Sequence, residues 1–267
     1  MSELKDFASS VAILVSTCDA FFDVWRPFTY FFRRFWPDCP LKTFLIVNEL
    51  SVQSQRIRPL IVGPDRGWAS NLKLALEQIS ETHILYMQED YFLTGLVDNR
   101  QLVVDFGDAM SRKADSLCFR SRSRIEPMFQ PLNDRFGIVP LDSDGRTRCQ
   151  VTLWNRAKLL SILRDGESGW EMEAGGSDRT RDMLVLSYGA RHNTPIPYLM
   201  SAIVRGLWMP EAIELCSQNG VRLEPRYRST YSRYSIPRRL RRSISQRKIQ
   251  RKLAALRGEK LDLDLMT

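Results

Sequence analysis

Val11-Ala-Ile-Leu-Val-Ser-Thr-Cys-Asp19 is a continuous apolar run that stops on small polar residues and an acid. Its first six residues read as a strand buried on both faces, as in a parallel sheet covered by helices. Beyond Asp23, the residues Val24, Trp25, Phe28, Phe31, Phe32 and Phe35 recur at helical spacing and predict one broad aromatic stripe, stopped by Pro37 and Pro40. Thr43-Phe-Leu-Ile-Val47 predicts a second strand and Leu60-Ile-Val62 a weaker third. The turn residues of 63–67 then lead into a helix carrying Leu72, Leu74, Ala75, Leu76 and Ile79. Ile84-Leu-Tyr-Met87 is a fourth strand, closed by Glu89 and Asp90. Strands alternating with helices at this spacing predict an α/β domain with a mostly parallel central sheet flanked by helices.

The second half is less regular. Residues 102–110 read as a helix, Ser116-Leu-Cys-Phe119 as a strand, and 120–144 as one long loop rich in Arg, Pro, Asp and Gly. A strand is expected over 149–154, a short helix over 157–163, and a helical turn or two over Gly166-Glu-Ser-Gly-Trp-Glu-Met-Glu173.

Charge divides the chain. Of its 39 basic and 31 acidic side chains, residues 222–260 hold 14 and 2, so the remainder carries 25 and 29, a net of −4. A mildly acidic body over 1–225 and a basic, helical C-terminal tail over 226–267 are expected. At 43% hydrophobic with 13 Phe and 6 Trp, the body can bury a large core and is not disordered. No apolar run approaches the roughly 20 residues of a membrane-spanning helix, and Met1-Ser-Glu-Leu-Lys-Asp6 lacks a secretory pattern, so a cytoplasmic protein is expected. Cys18, Cys39, Cys118, Cys149 and Cys216 are scattered without a close pair, which fits reduced thiols. With only His83 and His192, a histidine-rich metal site is excluded.

In open parallel sheets, ligands sit outside the carboxyl ends of the strands. Ser16-Thr-Cys-Asp19, Asn48-Glu49, residues 65–71 and Gln88-Glu-Asp90 stand at such ends. Carboxylates ending an apolar strand are costly unless paired or ligated, and such oxygen ligands suit Mg²⁺ or Mn²⁺ bridging phosphates. The competing reading makes Glu89 and Asp90 loop acids or helix caps.

Val15-Ser-Thr-Cys-Asp19, Trp36-Pro-Asp-Cys-Pro40, Gly67-Trp-Ala-Ser-Asn71 and Tyr86-Met-Gln-Glu-Asp-Tyr-Phe-Leu93 resemble a group of bacterial polysaccharide and lipopolysaccharide glycosyltransferases of the GT-A fold, a Rossmann-like architecture. The resemblance spans roughly residues 10–210 and implies a nucleotide-sugar donor, a divalent cation, Mg²⁺ or Mn²⁺, and a glycan or lipid-linked glycan acceptor. Gln88-Glu-Asp90 stands where that family has Asp-x-Asp or Asp-Asp, which implies Asp90 as metal ligand with Glu89 beside it. Thr17, Asp19, Asn71, Lys73 and Glu89 are implied on the nucleotide side. Trp170-Glu-Met-Glu173 resembles the acceptor-side aromatic and acid segment.

An inverting transfer needs a carboxylate to take the acceptor proton. Glu171 is the first candidate and Glu173 the second, against the alternative of a solvated first helical turn. Gln150 and Trp154 resemble acceptor or donor wall residues of that family, although Trp154 reads more readily as core, and His192 is implied as a late metal ligand against the plainer reading of a surface or capping histidine.

For the tail, a helix from 238 to 258 would carry Leu240 and Ile244 on one side and Ile249, Leu253 and Leu256 near the other. That pattern leaves electrostatic attachment to an anionic membrane surface, contact with nucleic acid phosphates and packing back onto the body as competing readings. A nucleotidyltransferase of related fold normally wants a Gly-rich basic loop after its first strand, and Ser16-Thr-Cys-Asp19 offers none. Nucleic acid as the main partner is disfavoured by the acidic body.

Overall fold

The computed structural model describes residues 3–121, 130–143, 145–189, 193–223, 227–231 and 238–265, with side chains from 243 onward in the last helix. In chain order, β1 (Val11–Ser16), α1 (Phe22–Phe35), β2 (Lys42–Val47), β3 (Ser51–Gln53), β4 (Ile57–Ile61), α2 (Trp68–Glu77) and β5 (His83–Gln88) build the first half. The second half continues with α3 (Asn99–Ser111), β6 (Ser116–Cys118), β7 (Gln130–Pro131), β8 (Phe136–Ile138), β9 (Thr152–Asn155), α4 (Arg156–Ile162), α5 (Gly169–Arg179) and β10 (Val185–Tyr188). It closes with β11 (Ile203–Val204), β12 (Leu207–Trp208), α6 (Pro210–Gln218), α7 (Arg238–Leu256) and β13 (Lys260–Asp262).

The main sheet has the order β4-β2-β1-β5-β9-β6-β10-β8-β7. Its first four strands are parallel, and β9 and β8 alone run against the rest. The expected α/β fold with a mostly parallel central sheet is therefore the observed one. Side chains divide between the two faces with the period of two that a pleated strand imposes. Val11, Ile13 and Val15 of β1, with Leu85 and Met87 of β5, join one core with α1, α3, α6 and α7. Ala12, Leu14, Ile84 and Tyr86 join the other with α2, α4 and α5. The aromatic stripe of α1 lies in the first core, where Trp25, Phe28, Phe31 and Phe32 are buried.

Several segments depart from expectation. Residues 120–144 contain the β7–β8 hairpin among their described part, pinned by Arg135, whose guanidinium meets the fully buried Asp105 of α3 at 3.0 Å. The strand expected from 149 begins at Thr152, and the turn or two expected at 166–173 is the 11-residue helix α5. The strand β10 and the elements from β11 to α6 lack a strong periodic signal and had no counterpart in the reading of the sequence. The basic C-terminal segment returns to the body: Ile249, Leu256 and Leu263 are buried in the first core, and β13 pairs in parallel with β3. Ile244 stays 41% exposed while Ile249 and Leu256 are buried, and Leu240 lies outside the described side chains. No helix among the described residues is long and apolar enough to cross a membrane.

Candidate functional site

The carboxyl ends of β1, β2 and β5 lie side by side because these strands are paired in parallel and in register. Segments 17–19, 48–50 and 88–90 therefore share one edge. Asp19 ties that edge together: its carboxylate accepts the backbone N–H groups of Asn48 (2.8 Å), Glu49 (2.8 Å) and Leu50 (3.0 Å). Its own N–H donates to Asn48 Oδ1 at 3.1 Å. Thr17 accepts the indole N–H of Trp25 at 2.9 Å. On the loop into α2, Asn71 is buried, accepts the N–H of Arg66 at 3.1 Å and donates to Asp65 Oδ1 at 2.7 Å. Gly67 donates to the same oxygen and holds φ at 89°, a region a side chain would strain. Thr17, Asp19 and Asn71 thus shape the loops around the edge with their polar atoms already engaged. Lys73 points elsewhere, pairing with Asp165 at 2.8 Å.

Glu89 and Asp90 are each only 6% exposed. Asp90 is held from one side: its Oδ2 accepts Ser201 Oγ at 2.6 Å and the Ile203 N–H at 3.2 Å, while its carbonyl accepts the Ala202 N–H at 2.9 Å. The other carboxylate oxygen, Oδ1, is buried without a hydrogen-bond partner. Burial pushes the Asp90 carboxyl up to about 6, although the bonds from Ser201 and Ile203 and the charge of Arg228 pull it back. Burial, reinforced by the neighbouring Asp90 carboxylate, raises Glu89 well above the usual range, and Arg228 again opposes. A buried orphan oxygen beside a second raised carboxylate is a cost that a cation would relieve. No group of three or more His, Cys, Asp or Glu gathers here among the described residues. Two carboxylates suffice for Mg²⁺ or Mn²⁺ when phosphate oxygens complete the shell, so the donor set fits.

Arg228 is the residue the sequence hid. It lies three residues past the expected boundary at 225, is 3% exposed, and clamps Asp23 of α1 with three contacts of 3.0 to 3.2 Å. Its Nη2 donates to the Ala20 carbonyl at 2.5 Å, and its guanidinium lies 4.5 Å from the centre of the Phe21 ring. Cys18, also at this edge, is pushed up to about 12 by burial and by the charges of Asp65, Glu89 and Asp19, so its thiol stays protonated and is no nucleophile.

A second group adjoins through Tyr91, whose hydroxyl donates to the Cys149 carbonyl. The Cys149 N–H donates to Glu173 Oε1 at 2.6 Å, so the backbone of this one residue joins the acid of α5 to the residue after Asp90. Gln150 is fixed between two phenols, donating to Tyr91 at 3.3 Å and accepting from Tyr198 at 2.9 Å. Glu171 differs. It is exposed and closes a capping box with Ser168, accepting from that residue's N–H and hydroxyl at 2.7 Å each, which holds its carboxyl below the usual range. The geometry of Glu171, the first candidate base, is that of a helix cap, the alternative weighed for this turn. Trp154 is buried in the second core and makes no wall, whereas Trp170 is 80% exposed on the first turn of α5. His192 lies outside the described residues. Ser201, Tyr198 and Arg228 carried no motif; the one available signal was an arginine set among Tyr227, Ser229 and Tyr231 rather than in a basic run.

No protein-family model and no curated protein matches the chain. Among solved structures, residues 1–349 of S. aureus TarS are similar at 11% identity and a TM-score of 0.46, over 71% of this chain and 59% of that one. The same TarS fragment in complex with UDP-GlcNAc gives 10% identity and a TM-score of 0.44, over 71% and 57%. Glucosyl-3-phosphoglycerate synthase from Mycobacterium tuberculosis in complex with Mn²⁺, UDP and phosphoglyceric acid gives 14% identity and a TM-score of 0.38, over 67% of this chain and 66% of that one. The chain thus spans less than two thirds of the length of the TarS chains it resembles.

Proposed function

We propose that this protein is a metal-dependent glycosyltransferase that moves a sugar from a nucleotide-sugar donor to a glycan or lipid-linked glycan acceptor in cell-surface polysaccharide synthesis, with inversion at the sugar. The observation that carries this reading is Asp90, anchored through one oxygen by Ser201 and Ile203 and presenting the other, buried and unpartnered, at the carboxyl end of a parallel strand. Asp90 and Glu89 would hold Mg²⁺ or Mn²⁺. The bound ion supplies positive charge against the departing diphosphate.

The chain's own groups do the rest. Arg228 adds a fixed positive charge beside the acid pair, and Asp19 and Asn71 hold the loops that face a nucleotide. Glu173, joined through Cys149 to the Tyr91 side of the site, would take the proton of the acceptor hydroxyl. Gln150 forms the acceptor wall, and the exposed ring of Trp170 offers a stacking face for a sugar. Arg247, Lys248 and Arg251, exposed on α7, supply charge for peripheral attachment to an anionic bilayer, each worth roughly 1 kcal/mol.

The test is incubation with a panel of nucleotide sugars and Mn²⁺ or Mg²⁺, reading release of free nucleotide. Turnover that vanishes in Asp90→Asn supports the reading. No donor bound or hydrolysed, or an Asp90→Asn variant as active as the parent, overturns it.

A further inference from the structure

The helix α1 has a second face that the catalytic reading leaves unused. Opposite the buried Phe28, Phe31 and Phe32 it carries Arg26, Tyr30, Arg33 and Arg34, which line one wall of a cleft of about 450 Å³. Val221 and Arg222, just past α6, and Leu263, Asp264 and Leu265, just past β13, line the other.

The charge of this cleft is unbalanced. Four guanidinium groups face one carboxylate, Asp264, which already accepts Ser54 Oγ at 3.0 Å and the Gln55 N–H at 2.7 Å besides meeting Arg33 at 3.3 Å. Arg26 spends its Nε on the carbonyl of Asp262 at 2.9 Å, and that residue's own carboxylate is taken by Gln53 and the Asp264 N–H. Among the described residues Arg34 reaches only the Tyr30 hydroxyl, at 3.4 Å, and the Phe35 ring, at 5.6 Å. Among the described residues neither Arg34 nor Arg222 forms an ion pair. Like charges drawn together around a concavity repel unless an anion joins them. The planar guanidinium fork matches phosphate oxygens in pairs, which an ammonium cannot do. Leu265 is 57% exposed and, with Val221 and Leu263, adds an apolar strip beside the charge.

We propose that this cleft is a binding site for the phosphate group of a phosphate ester, whose organic part lies along Val221, Leu263 and Leu265. It is separate from the Glu89–Asp90 edge and stands whether or not the chain transfers sugar.

Binding of inorganic pyrophosphate, measured by calorimetry with EDTA present so that no divalent cation contributes, tests the site on the full chain. The parent should bind, and Arg34→Ala with Arg222→Ala should weaken binding about tenfold or more, while Arg112→Ala with Arg181→Ala, neither of which lines the cleft, should not. Sedimentation with phosphatidylglycerol vesicles, using phosphatidylcholine as blank, distinguishes the source. With the α7 charges removed by Arg247→Ala, Lys248→Ala and Arg251→Ala in every protein sedimented, an Arg34 and Arg222 variant that loses both pyrophosphate and vesicle binding makes the phosphate lipid-borne, and one that loses only pyrophosphate makes the ligand soluble. No pyrophosphate binding by the parent, or equal binding by the variant, overturns the proposal.

Discussion

Arg228 and Asp23 form a bidentate ion pair with both side chains buried, across 205 residues of sequence. Neither charge has a solvent alternative, so each is tolerable only because the other is there. Burial raises the Asp23 carboxyl, and the guanidinium draws it back down. The pair fixes the start of α1, and at the acids ending β5 the guanidinium charge of Arg228 is opposed by that of Asp23.

Removing one member should therefore cost more than removing both. Asp23→Asn leaves a buried, uncompensated guanidinium and is expected to lower unfolding free energy by about 3 to 5 kcal/mol. Asp23→Leu combined with Arg228→Met should recover a large part of that loss. Urea denaturation of the three proteins reads the difference, and equal losses for single and double variants would deny the coupling.

The pH dependence of Asp90 has a definite sign. Its carboxyl, raised from 3.8 to about 6, keeps its proton in the folded state where the unfolded chain has lost it. The resulting stabilisation is full below about pH 4 and disappears as pH rises through about 6, with a span on the order of 3 kcal/mol. Metal-free parent protein should lose stability over that window relative to Asp90→Asn. Mn²⁺ affinity should move the other way, weakening below about pH 6 because the ligand must be deprotonated.

The two acids of α5 should separate cleanly. Glu171→Gln, which keeps a capping-box side chain at the same place, is expected to lower stability only slightly and to leave turnover within a few-fold of the parent. Glu173→Gln should depress transfer by about a hundredfold or more while donor binding persists, since a proton acceptor is lost. Steady-state kinetics with denaturation curves for both variants decide, and full transfer by Glu173→Gln would remove it as base.

Gly176 sets the distance at which α5 lies against the loop before β9. A Cβ built there would collide with the side chain of the fully buried Thr147, which donates to the Met172 carbonyl at 3.2 Å. Gly176→Ala should destabilise by about 1 to 3 kcal/mol despite its better helix propensity, because overpacking outweighs it. Thr147→Gly in the same chain should relieve part of the clash, and melting temperatures report both.

The parallel half of the fold was legible because strands such as Val11–Ser16 are apolar throughout and end abruptly in polar residues. The aromatic period of α1 was equally plain. Short strands such as β7 and β11, with two residues each, carry no period to detect, and their place depends on partners distant in sequence. In the site, Glu89 and Asp90 could be singled out locally, since a carboxylate after an apolar strand is conspicuous, whereas Gln150 was found only through the family resemblance. Glu171 was ambiguous because an acid three residues past Ser168 serves a cap as readily as a reaction, and only the folded chain shows its bonds to Ser168. Arg228 looked like tail charge because nothing in its neighbourhood announces Asp23.

The pairing of β13 with β3 and the clamp of Arg228 on Asp23 both close loops of more than 200 residues. Such closures come late, since the ordering entropy of the intervening chain is lost before the contact can repay it. During synthesis, Glu89 and Asp90 leave the ribosome long before the cation that faces them. A nascent chain that has the parallel strands, α1 and both acids is still without its counter-charge, so the order in which the ribosome delivers these groups keeps the acid site unfinished until the C-terminal segment has folded back.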